Sequence, residues 1–137
     1  MSRHLELKWT GLGPGAALEQ FCACGDDDLA DLATGITLPL PMPSQMAFSY
    51  SGLHSSVERF ISTRGGIQNL DLQTRRALAR AFQTAAVAQL EEKLVLGLSW
   101  CSKNNVQVRH VVVSGGVASN LYLRKRYDIY FFNFIAF

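Results

Sequence analysis

The run Val111-Val112-Val113-Ser114-Gly115-Gly116-Val117-Ala118-Ser119-Asn120 constrains this chain more than any other stretch. A β-branched triplet is followed by a glycine pair and then by residues that open a helix. Three consecutive valines suit a strand buried on both faces, as in a parallel sheet. Two glycines allow positive φ and let backbone N–H groups approach a ligand closely. Ala118 to Arg126 reads as a helix, which sets a partly positive N-terminus with unpaired N–H donors over the glycines. That order builds a phosphate-binding turn. A plain strand-to-helix connection uses the same residue types, so the run needs support from elsewhere in the chain.

Composition narrows the options. A length of 137 residues fits one domain or a piece of one. With 48% hydrophobic and 18% charged residues the chain is globular in character and not disordered. A net charge of +2 permits a nucleic-acid partner without requiring one. Asp26, Asp27, Asp28 and Asp31 gather negative charge, and Arg124, Lys125 and Arg126 gather positive charge. Both runs read first as solvated faces. Cys22, Cys24 and Cys101 are odd in number and lack framework spacing, which points to reduced thiols. His4, His54 and His110 form no convincing metal pattern, and Cys22 and Cys24 would face different sides of a helix. No run approaches the roughly 20 apolar residues of a membrane span. Arg3, His4, Glu6 and Lys8 break any signal-peptide pattern at the start.

Periodicity places the remaining elements. Ser2 to Lys8 reads as part of an amphipathic helix and Gly11 to Gly15 as a turn. Ala16 to Cys24 is a short helix with Ala17, Leu18 and Phe21 on one face and Gly25 at its C-cap. Asp26 to Ala33 stays open between a helical turn and a loop. Pro39, Pro41 and Pro43 make Thr34 to Gln45 extended or irregular. Met46 to Tyr50 is a short strand candidate, and Ser51 caps a helix over Gly52 to Ser62. Arg64 to Asn69 is a loop. From Asp71 to about Trp100 the apolar residues Leu78, Phe82, Ala86, Leu90 and Leu94 recur four apart and predict one long helix, capped by Asn69 or Asp71. Its span of about 42 Å predicts a break near Gly97. Tyr127 to Phe137 is dense in aromatics, shows neither a helical nor an alternating period, and reads as a departure from the chain's natural continuation.

With these elements placed, four segments carry a resemblance. Ser114 to Arg126, SGGVASNLYLRKR, resembles the signature of the TsaD/Gcp/OSGEP-like family, the tRNA N(6)-adenosine threonylcarbamoyltransferases. Phe48 to Ile61, FSYSGLHSSVERFI, is similar to the family's FSFSGL segment and the helix after it. Gly13 to Gly25, GPGAALEQFCACG, resembles its glycine pair, helix and closing glycine. Arg75 to Gln89, with ARAFQ at Ala79 to Gln83, resembles its ARAF segment. The four stand in the family's order and cover nearly all of residues 1–126. The wording SGGVASN is similar to the bacterial and mitochondrial branch more than to the archaeal and eukaryotic cytosolic one. Residues 1–126 are accordingly read as a partial Gcp-like domain and 127–137 as a non-family aromatic tail.

The resemblance implies an α/β, actin-like ATPase (ASKHA) fold, here partial and with an incomplete lobe. It implies transfer of a threonylcarbamoyl group from threonylcarbamoyl-adenylate to the exocyclic amine of the tRNA adenosine beside the anticodon, with one divalent metal helping to hold the adenylate. Such a transfer needs the adenylate cradled, its carbonyl polarised and the amine aligned. Carried over residue by residue, Gly15 falls on the glycine against the nucleoside. Gly115 and Gly116 form the turn that phosphate and sugar approach, and Asn120 falls on the asparagine that contacts the adenylate, its amide offering donor and acceptor. No catalytic residue and no metal ligand carries over. The family's HxxxH pair has no counterpart here, and a TDN-like aspartate beyond the glycine turn gives way to the aromatic tail. The nucleotide-binding aspartate belongs upstream of the segment resembling Met1 to Leu7, and Ala47 stands where the family often has aspartate.

The expectation is therefore a fragment cut at both ends, keeping one wall of the adenylate cleft and no cofactor of its own, inactive and marginally stable alone. Family and branch imply tRNA as partner, a homodimer as an option, a mitochondrial setting and no membrane. The alternative is a non-catalytic nucleotide- or partner-binding remnant associating with a full-length paralogue. A sugar kinase of the same superfamily is disfavoured, because FSYSGL and SGGVASN do not occur together there.

Overall fold

Apolar residues four apart in a stretch free of proline build the longest element. In the structure, a computed structural model that describes residues 1–9, 11, 13–24, 35–131 and 135–136, this is a 32-residue helix. Gly13–Ala23 is α1, Tyr50–Ser62 is α2 and Leu72–Lys103 is α3. Val111–Val112 is β1, Leu121–Phe131 is α4 and Ile135–Ala136 is β2, with short 3-10 turns at Ile67–Asn69 and Gly116–Ser119. The described residues are thus rich in helix, with one small parallel sheet in which Val111 pairs with Ile135 and Val112 with Ala136. The chain divides into two compact units, Met1–Pro43 with Phe48–Gln89, and Ser44–Ala47 with Leu90–Phe137. The C-cap expected at Gly25, the open segment Asp26 to Ala33 and the acidic cluster lie outside the described residues.

Asp71 sets the start of α3, its Oδ1 accepting the Thr74 N–H at 2.7 Å. The break expected near Gly97 does not occur. A glycine inside a helix costs only about 1 kcal/mol relative to alanine, too little to stop a helix of this length. The helix ends instead where Asn105 takes φ 58° and Val106 N–H bonds the Cys101 carbonyl at 2.8 Å. The buried stripe also differs from the expected one. Leu78, Ala85, Gln89 and Lys93 are buried, while Phe82, Ala86, Leu90 and Leu94 are only partly so. Gln89 has a reason to be inside: its Oε1 accepts the Ser49 N–H at 2.7 Å, just ahead of α2.

The core of the first unit joins Leu5, Cys22 of α1, Val57 of α2 and Leu78 and Ala79 of α3, with Leu18, Phe21, Phe60, Ile61 and Phe82 packed around them. Met1 to Leu7 is not helical. It forms hydrogen-bonded turns, with Glu6 at φ 55°, and Ser2 Oγ–H donates to the Pro14 carbonyl at 2.6 Å. Arg80 ties α3 to the end of α1, donating from Nε to the Cys22 carbonyl at 2.8 Å. Met46 to Tyr50 forms no strand. Ser49 is the N-cap residue of α2, two positions before the expected Ser51, and the helix starts at Tyr50. Alternation over five residues was too short to outweigh the helix that follows.

In the second unit Ala118, Leu123 and Tyr127 are buried, and Arg126 grips Glu91 through two bonds of 2.8 and 2.7 Å. Val112 is 73% exposed, so the valine run is not buried on both faces. Helix α4 runs through Tyr127 to Phe131, correcting the expectation that the aromatic segment has no helical part.

Leu78 is fully buried at the centre of the first unit. Leu78→Ala is expected to lower its stability by about 2–5 kcal/mol in urea denaturation. His54 supplies a pH test. Burial, then the Met1 amine and His4, hold its imidazole below the usual value, with Glu58 pulling the other way. The unfolded chain therefore binds this proton first, so stability from His54 is complete above about pH 6.5 and falls as the pH drops below it. Urea midpoints taken across that window are expected to decline toward acid, and less steeply in His54→Phe.

Candidate nucleotide-binding turn

Glycine at position 115 is required by the backbone. Gly115 takes φ 93° and ψ −178°, a conformation that side chains rarely adopt, and it launches the 3-10 turn Gly116–Ser119. Ala118 N–H bonds the Gly115 carbonyl and Asn120 N–H the Val117 carbonyl, both at 3.0 Å. Ser119 Oγ–H donates to the Gly116 carbonyl at 2.7 Å. Asn120 itself is extended, at φ −66° and ψ 120°. Its Oδ1 accepts the Leu123 N–H at 2.9 Å, which makes it the N-cap of α4.

This corrects the expected helix start. Helix α4 begins at Leu121 and not at Ala118, because an asparagine caps better than it propagates. Gly115, Gly116 and Val117 are exposed, and among the described residues their N–H groups donate to no acceptor. That is the usual state of donors opening a helical turn, and it suits an anion.

Gly116 differs from Gly115. Its φ is ordinary, and a Cβ built on it meets nothing within 4 Å. The same holds for Gly15, in the first turns of α1. Neither position needs glycine for its backbone or for room within the described residues. Of the four residues singled out by sequence, Gly115, Gly116 and Asn120 share one turn of the second unit, while Gly15 belongs to the first unit.

The basic run resolves into three different roles. Arg126 is paired with Glu91, Lys125 is exposed, and Arg124 Nε–H donates to the Ala118 carbonyl at 2.7 Å. Sequence reasoning passed over Arg124 as part of a solvated face. Its position four residues after a capping asparagine was the available signal, since that spacing returns a long side chain over the preceding turn.

Among the described residues no three His, Cys, Asp or Glu side chains come together to hold a metal ion. No helix among the described residues is long and apolar enough to cross a membrane.

Comparison with known proteins places the chain. The family model described as TsaD, tRNA N6-adenosine threonylcarbamoyltransferase, matches residues 2–136. The chain is 32% identical over 131 residues to the probable mitochondrial tRNA N6-adenosine threonylcarbamoyltransferase of Arabidopsis thaliana, covering 87% of the chain and 26% of that protein. It is 30% identical over 129 residues to the mitochondrial protein of that name in Schizosaccharomyces pombe, covering 90% and 29%. It is 35% identical over 128 residues to the tRNA N6-adenosine threonylcarbamoyltransferase of Bordetella avium, covering 90% and 33%. Relatives named mitochondrial and relatives from bacteria both match, and the chain spans about a quarter to a third of their length. On this evidence the chain belongs to the TsaD family of tRNA N6-adenosine threonylcarbamoyltransferases.

Proposed function

We propose that the turn from Gly115 to Asn120 is one wall of the pocket that holds threonylcarbamoyl-adenylate in a tRNA-modifying transferase. The observation that carries this reading is the division of labour at Asn120. Its oxygen faces the helix, accepting the Leu123 N–H at 2.9 Å, while the Nδ2 amide group is a donor available to a ligand. Together with the exposed N–H groups of Gly115, Gly116 and Val117, it gives the turn a set of donors that suits a phosphate or ribose oxygen. Gly15 is proposed separately as a nucleoside contact, since its backbone and surroundings do not demand glycine.

The finer assignments belong to the same proposal. The whole enzyme has an actin-like ATPase fold, of which this chain is a part. It transfers the threonylcarbamoyl group to tRNA in the mitochondrion, in keeping with relatives so named in a plant and a yeast. This polypeptide alone does not catalyse that transfer, because no two of His4, His54 and His110 stand at HxxxH spacing. Incubated with threonylcarbamoyl-adenylate, a divalent metal and unmodified tRNA, the purified chain is expected to yield no threonylcarbamoyladenosine by mass spectrometry. Formation of the product would overturn this part of the reading.

Two substitutions separate ligand binding from folding. Asn120→Asp keeps an oxygen for the Leu123 N–H, so stability is expected to change by less than about 1 kcal/mol. It turns a donor into a negative charge, and AMP affinity in calorimetry is expected to fall by about tenfold or more. Gly116→Ala meets no neighbour, so it is expected to hold stability within about 1 kcal/mol while blocking close approach of the same probe. Wild-type affinity in both variants would contradict the proposal.

A further inference from the structure

We propose that Arg124 is the positioning residue of the Gly115–Asn120 turn, holding it through the Ala118 carbonyl in the shape that receives a phosphate. The proposal rests on the adenylate reading given above. Arg124 lies in the first turn of α4, yet its Nε–H reaches back 2.7 Å to Ala118, in the middle of the 3-10 turn. Its own N–H bonds the Asn120 carbonyl at 3.1 Å. Main chain and side chain of one residue therefore hold the turn at two points.

The geometry explains why this matters. Positive φ at Gly115 fixes one end of the turn, and the Asn120 cap fixes the other. Between them lies a single 3-10 turn, which is poorly held by its own hydrogen bonds. Donors aimed at an anion act best when they are fixed before it arrives. The Arg124 bond falls on that weak middle. Neither neighbouring base does the same work, since Arg126 is engaged with Glu91 at 2.8 and 2.7 Å and Lys125 is exposed.

Two variants of the full chain distinguish a bond from a charge. Glutamine carries an N–H donor the same number of bonds from the backbone as arginine Nε, without the charge. Methionine has similar bulk and no donor. The readouts are hydrogen exchange of the bonded Ala118 and Asn120 amides of the turn, measured against residues 53–60, and AMP affinity. Arg124→Met is expected to speed exchange in the turn by about tenfold or more, leave residues 53–60 unchanged, and weaken AMP by about tenfold. Arg124→Gln is expected to restore both to within about threefold of wild type. Unchanged exchange in Arg124→Met would overturn the proposal. So would an Arg124→Gln chain that keeps the turn protected yet loses AMP as Arg124→Met does, because Arg124 would then act on the ligand by charge. Should Arg124→Met fail to fold, Arg124→Gln decides alone: it must fold and bind, and loss of either counts against the clamp. A wild-type chain that does not bind AMP would remove the adenylate reading, while the exchange comparison would still judge the clamp.

Discussion

The hydrogen bond from Leu123 N–H to Asn120 Oδ1, at 2.9 Å, determines where α4 begins and therefore how the glycine pair is presented. Had the helix started at Ala118, the N–H groups of Leu121 and Tyr122 would be consumed within its first turns and the glycines would be an ordinary connection. With the cap at Asn120, the residues before it become a separate 3-10 turn launched from Gly115 at φ 93°. The exposed N–H groups lie at the front of that turn, and the Asn120 amide turns its oxygen to the helix. On the proposed reading, folding and recognition use opposite ends of one carboxamide. Arg124 adds to the same arrangement from the helix side, through the carbonyl of Ala118.

The first unit is held by different means. Its core is apolar and drawn from four sequence segments, with Leu5, Val57 and Leu78 almost completely removed from water. Burial of a leucine or valine side chain is worth about 1.5–3 kcal/mol, so a few such residues set most of the unit's stability. Two polar devices orient that core: Gln89 accepts the N–H ahead of α2, and Arg80 donates to the end of α1. Gly15 stands outside both devices, with open space where a side chain would go. The same open space surrounds Gly116.

Much of this was legible in the sequence, for reasons that can be named. Helix α3 announced itself by apolar residues four apart and a capping aspartate, and α2 by a serine at its start, although Ser49 and not Ser51 is the N-cap residue. The glycine pair after a valine run identified the turn, and its three companion segments identified the family. What stayed hidden depended on competition between local preferences. Asn120 is compatible with a helix interior or a cap, and only its bond to Leu123 decides. The valine run has strong β propensity but says nothing about its neighbours, and with Ile135–Ala136 as its partner Val112 remains exposed. Ser2 to Lys8 has a helical pattern too short to nucleate, so turns win. Gly97 looked like a break because helix length was weighed against domain size, whereas a single glycine is a small local cost. The basic run was invisible as a set of roles, because composition cannot show that Arg124, Lys125 and Arg126 face three different surroundings.

The central claim is that the Gly115–Asn120 turn meets the phosphate and sugar of an adenylate. The most direct test is a two-dimensional 15N NMR titration of the wild-type chain with AMP, following backbone amides and the Asn120 side-chain NH2. The account predicts saturable shifts concentrated at Gly115, Gly116, Val117 and the Asn120 amide group, with the core amides of Leu53 and Val57 unmoved. Shifts scattered over the surface without saturation, or a saturable set that leaves these four residues unmoved, would contradict it.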